Sequence, residues 1–495
     1  MSKRILLQMT NISKAFSGVQ ALDHVNLSIQ PGKVMCLAGE NGCGKSTLVK
    51  IISGVYEKDA GDIVFDGNKI QKITPSVATK LGIQIIYQDL SIFPNLTVME
   101  NLAINSEISA NRKLVNKKRM EATALEALSK LQHNIDLNAK MGSLSIANKQ
   151  LIAICRALLF DAKLIIMDEP TTALTKKEVD ALFNTIHQLC KSGIAVMFIS
   201  HKPEEIFEIS DDILIMRNGH DVYGGPIAEL SRKDFVYYMT GRELQDQPFE
   251  PQDISEDPIL EVKNLCLQHK YTDVTFDLRK GEILGITGLL GSGRTELALS
   301  LFGLLKAQSG EIYLRGKRAG IDSPMKAQQN HIGYVPEDRQ TEGLCLRRPI
   351  YDNITLTSLN RLSNKLGLIR ETALMNDGQK WVDILSILTH NISDNADTLS
   401  GGNQQKIVLA KWLCNDLDVL ILNGPTVGVD IGAKQDIHRL VQSLAKKGLA
   451  IIIISDDLSE VVINCSRVLV MKDGKIVEEL VDDKINELEI LEIIR

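Results

Sequence analysis

The sequence predicts an α/β protein of two tandem domains, each built on a mostly parallel sheet covered on both faces and each carrying a helical subdomain. Three observations lead there. A glycine-rich loop occurs twice, as GENGCGKST at 39–47 and, 249 residues further on, as GLLGSGRTE at 288–296. Apolar runs of strand length, such as 34–38, 164–167 and 195–199, alternate with amphipathic stretches, which is the pattern of strands buried on both faces. The halves are also collinear. Gly39 matches Gly288 and Gln88 matches Glu337 at an offset of 249, while Ser145 matches Ser400, Asp168 matches Asn423 and His201 matches Asp456 at 255. The net six-residue insertion falls between Glu337 and Ser400, in a stretch rich in Leu, Lys, Asn and Ala that reads as helical and tolerant of length change.

Taken in order, the first domain is expected at 1–242. Its strand 34–38 delivers the chain into the first glycine loop and a helix from about Lys45, so that the helix N-terminus faces whatever the loop holds. A helical insertion is expected over about 97–149. The stretch 243–258, ELQDQPFEPQDISEDP, holds six acids, three prolines and no basic residue, and reads as a short solvated linker. The second domain is expected at 259–495. At 495 residues the chain is too long for one core, and the repeat favours two large domains. The net charge of −6 and the absence of a long basic run argue against a nucleic-acid or lipid-surface partner. Eight scattered cysteines with no CxxC pair suit a reducing compartment. The start, MSKRILLQMT, has only a short apolar stretch, and the longest apolar runs, such as 449–454, are of strand length, so neither a secretory leader nor a membrane span is expected.

The first loop carries the G-x-x-x-x-G-K-[ST] spacing in Gly39, Gly44, Lys45 and Ser46. Glycines at that spacing let backbone N–H groups approach phosphate oxygens, the lysine neutralises them, and the hydroxyl can ligate Mg²⁺. Glu40, Asn41, Gly42, Cys43 and Thr47 complete the loop. In KLIIMDEPTTAL (163–174) an apolar strand ends in two acids, where Asp168 would hold Mg²⁺ through water and Glu169 would polarise the attacking water. The second loop keeps Gly288, Gly293 and Thr295 but has Arg294 in place of lysine.

LSGGNQQK at 399–406 matches the signature motif of ATP-binding-cassette (ABC) ATPases, and the whole chain resembles that family. The resemblance implies ATP and Mg²⁺ as ligands, Phe16 stacking on adenine, Gln88 in YQDL contacting Mg²⁺ and reporting to a membrane partner, and His201 in FISHKPEE contacting the γ-phosphate. Within the family the chain is similar to the double-cassette ATPases of bacterial monosaccharide importers of the ribose, galactose and xylose type, through DEPTTALT, MTGREL (239–244), PEDRQTEGL (336–344) and GVDIGAK (428–434). That implies an ATPase at the cytoplasmic face of the inner membrane, working with multi-span permease subunits and an extracytoplasmic solute-binding protein. ATP binding would close the two halves, and hydrolysis would reopen them. Soluble double-cassette ATPases acting on ribosomes or in DNA repair are the alternative, but these carry long charged linkers or cysteine-rich inserts that this chain lacks.

Two departures from the family pattern stand out. In the second half the acid pair is Asn423-Gly424, Glu337 stands for the glutamine and Asp456 for the histidine, so that half is not expected to hydrolyse ATP. In the first half the signature is LSIANKQ, with Ile146 and Ala147 after Ser145 where glycines are expected. ABC sites form head to tail, which implies pairing of Gly39, Lys45, Gln88, Asp168, Glu169 and His201 with Ser400, Gly401 and Gly402 in one complete site. Arg294, Glu337, Asn423, Gly424 and Asp456 would then pair with Ser145 in a degenerate one.

Overall fold

Strand Val34–Gly39 is buried along its whole length and ends in the first glycine loop, and the rest of the first unit is arranged around it. The structure is a computed structural model that describes residues 4–16, 18–87, 91–109, 116–129, 135–171, 174–243, 248–251, 254–289, 291–481 and 484–494. The chain divides into two compact units, Met1–Leu244 and Gln245–Arg495.

In the first unit a six-stranded sheet runs in the order His220–Pro226, Asp212–Arg217, Val34–Gly39, Ala195–Ile199, Leu164–Asp168 and Ile83–Ile86. It is parallel except for the hairpin at the first edge. The three strands that carry motifs are apolar and almost wholly buried, as continuous apolar runs require when both faces are covered. Their register places Asp168 opposite Ile199, so the loop after Gly39, the acids at 168–169 and His201 all emerge at the carboxyl end of the sheet. A ligand site belongs at that edge in an α/β fold. A second, antiparallel sheet of Val19–Ile29, Leu7–Phe16, Ala60–Phe65 and Asn68–Lys69 carries Phe16 at a strand end. The expected helical insertion contains helices Val98–Ser109 and Lys117–Ser129.

The second unit repeats the plan. Its six-stranded sheet runs Ile332–Val335, Val419–Asn423, Ala450–Ile454, Ile283–Gly288, Arg467–Lys472 and Lys475–Val481. The four-stranded one runs Tyr271–Arg279, Pro258–Leu267, Ser309–Leu314 and Lys317–Arg318. The segment holding the net insertion is helical only in pieces, as Ile350–Thr355, Leu359–Leu362 and Glu371–Ile384. It is preceded by a wide turn at Arg339–Gly343 whose backbone amides at Gln340 and Thr341 donate to Asp338.

The stretch expected as a solvated linker is not solvated throughout. Phe249 is buried in the core of the second unit and its N–H donates to the carbonyl of Ile463 at 2.8 Å. Removing this apolar ring from water is favourable, while Pro248, Glu250 and Pro251 beside it stay exposed. Among the described residues no helix is long and apolar enough to cross a membrane.

Candidate functional site

The first glycine loop is built around backbone geometry that only glycine satisfies at Gly44. Its φ is 107°, and a Cβ there would fall 2.6 Å from the carbonyl of Ala21 and 2.8 Å from Leu22 Cδ2. The following helix, Lys45–Ile52, therefore starts with open backbone N–H groups turned toward the loop. Lys45 is 8% exposed. Its ammonium donates to the carbonyls of Gly39 at 2.6 Å and Glu40 at 2.9 Å, which closes the loop around the charge. Asn41, Gly42 and Ser46 are exposed at the rim, Cys43 is buried beneath it, and Thr47 is half-buried. A ring of N–H donors, one buried ammonium and an exposed hydroxyl is a donor set suited to a polyphosphate with a divalent cation.

Asp168 and Glu169 follow at the end of strand Leu164–Asp168. Glu169 has φ 46°, an uncommon value for a residue with a side chain, and its N–H donates to the carbonyl of Ile199 at 3.1 Å. This backbone posture turns its carboxylate toward His201, whose Nδ1 lies 3.0 Å from Glu169 Oε1. The hydrogen bond from His201 holds the Glu169 carboxyl below its ordinary range. Burial, together with the adjacent Glu169 charge, pushes Asp168 above its own. The two neighbouring carboxyls are thus pushed in opposite directions, Glu169 down and Asp168 up, with Lys45 and Lys50 partly offsetting the rise at Asp168.

Behind these groups lies a buried clamp that the motifs did not disclose. Glu205 accepts from Thr171 Oγ1 at 2.7 Å and Ser200 Oγ at 3.0 Å on one oxygen, and from Lys202 Nζ at 3.0 Å on the other. It ties the loop after the strand-end acids to the segment carrying His201. The hydroxyls flanking each motif, in PTT and ISHK, are the signal in the sequence that could have found it. Phe16 is 37% exposed, meets Tyr56 edge-on at 5.1 Å and has the Lys14 ammonium over its ring at 5.4 Å. Gln88 lies outside the described residues.

The second unit holds the matching positions in a different chemical state. Arg294 is buried, donates to the carbonyl of Gly288, and its Nη2 lies 3.4 Å from Asp456 Oδ2. Asn423 is 4% exposed and donates to the hydroxyl of Tyr334 at 3.4 Å. Gly424 has φ 56°, and a Cβ there would lie 3.0 Å from Glu337 Cγ and 2.9 Å from Val427 Cγ2. The Glu337 stem therefore crowds the position from which a strand-end glutamate would project. A cavity of about 470 Å³ opens beside these groups, lined by Thr295, Tyr334, Glu337, Arg339 and Asn423 among others.

The family model described as ABC transporter matches residues 22–172 and 271–427. The chain belongs to the ABC transporter family. It is 41% identical over 493 residues, 99% of this chain and 94% of the other, to a putative ribose/galactose/methyl galactoside import ATP-binding protein of Halalkalibacterium halodurans. It is 42% identical over 470 residues, 95% of this chain and 92% of the other, to a ribose import ATP-binding protein of Rhizobium etli. A ribose import ATP-binding protein of Clostridium perfringens is 42% identical over 490 residues, 99% of this chain and 98% of that one.

Each unit of this ABC protein starts a helix at its signature motif. Ser145 caps helix Ile146–Leu158 by accepting from the Asn148 N–H at 3.3 Å, and Ile146 stands 44% exposed. Ser400 precedes helix Gly401–Leu413 and accepts from Asn403 Nδ2 at 3.0 Å. The two signature glycines have a packing reason as well as the expected one. A Cβ on Gly401 would lie 2.6 Å from Arg339 Nη2, and one on Gly402 would collide with Ala433 Cβ. Arg339 donates to the carbonyls of Val427 at 2.6 Å and Gly428 at 2.8 Å, so one guanidinium joins the segment after Val335, the loop after Asn423 and the start of the signature helix.

Proposed function

We infer that this chain is the ATP-hydrolysing subunit of a bacterial importer, coupling ATP turnover to uptake of a monosaccharide or similar small polar solute. The observation that carries the catalytic part is Glu169. It directly follows a buried strand beside the phosphate loop, its carboxyl is held below the ordinary range by His201 at 3.0 Å, and Asp168 beside it is pushed the other way. Lys45 and the N–H groups of the loop bind and orient the terminal phosphates. Ser46 and Asp168, with Gln88, would hold Mg²⁺, which supplies neutralisation of phosphate charge when bound. Glu169 orients the attacking water and accepts its proton, and His201 fixes the carboxylate and reaches toward the terminal phosphate. Asn423 and Gly424 supply neither function in the second unit.

The family's head-to-tail arrangement implies that Ser400, Gly401 and Gly402 complete the working site and Ser145 the degenerate one. The partners are multi-span permease subunits and a solute-binding protein, with the chain peripheral at the cytoplasmic face and membrane contact made through the permease. The import names of relatives at 41–42% identity over nearly the whole chain support this assignment. Steady-state ATPase of the assembled transporter carrying Glu169→Gln tests it, because loss of a positioned base costs about 10²- to 10⁴-fold in rate. Retention of more than about a tenth of wild-type activity would contradict a single site based on Glu169.

A further inference from the structure

Arg294 and Asp456 each look like a loss when compared with the first unit, yet the structure brings the two together. Arg294 repeats what Lys45 does, donating to the carbonyl of the first loop glycine, Gly288 in one case and Gly39 in the other. Asp456 stands where His201 stands, two residues beyond the last strand residue, Ile454 or Ile199. The backbone there is held alike in both units, since Ser455 Oγ accepts from the Asp457 N–H at 3.1 Å and Ser200 Oγ from the Lys202 N–H at 3.1 Å. At the histidine's place the second unit therefore presents a carboxylate, and that carboxylate reaches the loop's own guanidinium at 3.4 Å.

We propose that Asp456 is a built-in anion of the second phosphate loop, sitting on Arg294 where a terminal phosphate would go, so that this loop excludes nucleoside triphosphates and the chain binds one. A terminal phosphate entering the loop has to displace the carboxylate from Arg294 and then lie against it. The strand-end position itself lends no charge to a counter-cation. The strand-end residue is a neutral Asn423 turned to Tyr334, and Glu337 adds a further negative charge beside Gly424. Like charges a few ångströms apart at a protein surface weaken binding by roughly tenfold or more. In the first unit the corresponding histidine adds no negative charge, and the Lys45 ammonium donates to the carbonyls of Gly39 and Glu40 and to the Cys43 sulfur at 3.9 Å. The inference rests on the reading of the first loop as a triphosphate site, but it concerns binding and not turnover. Rapid ATPase with Glu169→Gln would sink the catalytic assignment and leave the stoichiometry untouched.

The test is equilibrium binding of the non-hydrolysable analogue β,γ-imido-ATP with Mg²⁺ to the full chain. Wild type is expected to bind one analogue and Lys45→Ala none. Lys45→Ala combined with Asp456→Asn is expected to bind one, now at the second loop. Both tryptophans, Trp381 and Trp412, lie in the second unit, so their fluorescence verifies that it stays folded in each variant. Two analogues per wild-type chain, or one on Lys45→Ala alone, overturns the proposal. So does a double variant that is folded and binds none, because Asp456 would then not be the barrier.

Discussion

Arg339→Ala probes the contact that joins three segments of the second unit. The guanidinium donates to two consecutive carbonyls, Val427 at 2.6 Å and Gly428 at 2.8 Å. Hydrogen bonds from a charged donor contribute about 1.5–3 kcal/mol each, so the lower end gives about 3 kcal/mol for the pair. Solvent reaches part of the group, and screening reduces this to about 1.5 kcal/mol. At 1.36 kcal/mol per decade, that is roughly a tenfold change in the local opening equilibrium. The turn in question is closed by the Val427 N–H to Gly424 at 3.1 Å and the Val429 N–H to Thr426 at 3.2 Å, and it leads into Asp430, which caps helix Ile431–Lys446 through the Ala433 N–H. Hydrogen exchange followed by mass spectrometry should show peptides over 427–430 exchanging about tenfold faster in Arg339→Ala, with strand Arg467–Lys472 unchanged. Arg339→Lys, which places one ammonium where two donors stood, should fall between. Exchange at 427–430 within about twofold of wild type would refute the claim that Arg339 holds this turn.

Two further outcomes follow from the second unit. Gly402→Ala drives a methyl onto Ala433 and should destabilise that unit by about 1–3 kcal/mol even without nucleotide; an unchanged denaturation midpoint in tryptophan fluorescence would show that the glycine is needed for ligand approach alone. Burial pushes the Asp457 carboxyl up, but Lys434 at 2.5 Å more than offsets it, so its folded value is depressed. Its stabilisation is present above the unfolded carboxylate value near ~3.9 and is lost as pH falls through the lower folded value. Lys434→Met should move the acid transition of the second unit to higher pH, and an unmoved transition would count against the pairing.

Much of the candidate site in the first unit is legible from local pattern, because its residues lie in short contiguous motifs on elements whose periodicity is strong. Gly39, Lys45 and Ser46 lie within eight residues, and Asp168 and Glu169 terminate one apolar run. What the sequence does not disclose is which distant side chains meet. Arg294 and Asp456 are each readable as a departure from the family pattern, but their contact arises from the alignment of two strands that are far apart in the chain. Gly424 and Glu337 likewise read as separate losses until one is seen to fill the space beside the other. Phe249 is hidden for the opposite reason: composition averages it into an acidic stretch, while burial is decided by the single ring.

The second unit keeps the frame of the first while its strand-tip residues differ. Thr426 Oγ1 donates to Glu460 at 2.8 Å, as Thr171 does to Glu205, and both carboxylates are buried. A buried carboxylate is costly unless its hydrogen bonds are made, so such a clamp contributes only when complete. It is supplied in the second unit by Thr426 and by His438 Nε2 at 3.4 Å, and it anchors the helix that follows Asp456. The altered residues, Glu337, Asn423, Gly424 and Asp456, stand on or beside strand tips, where a change of side chain leaves the register of the sheet unaffected. Arg294 keeps the loop closed through Gly288, and Gly401 and Gly402 keep the signature helix packed against Arg339 and Ala433. Hydrolysis can therefore be absent from the second unit without loosening the signature segment, because the two depend on different residues of the same framework.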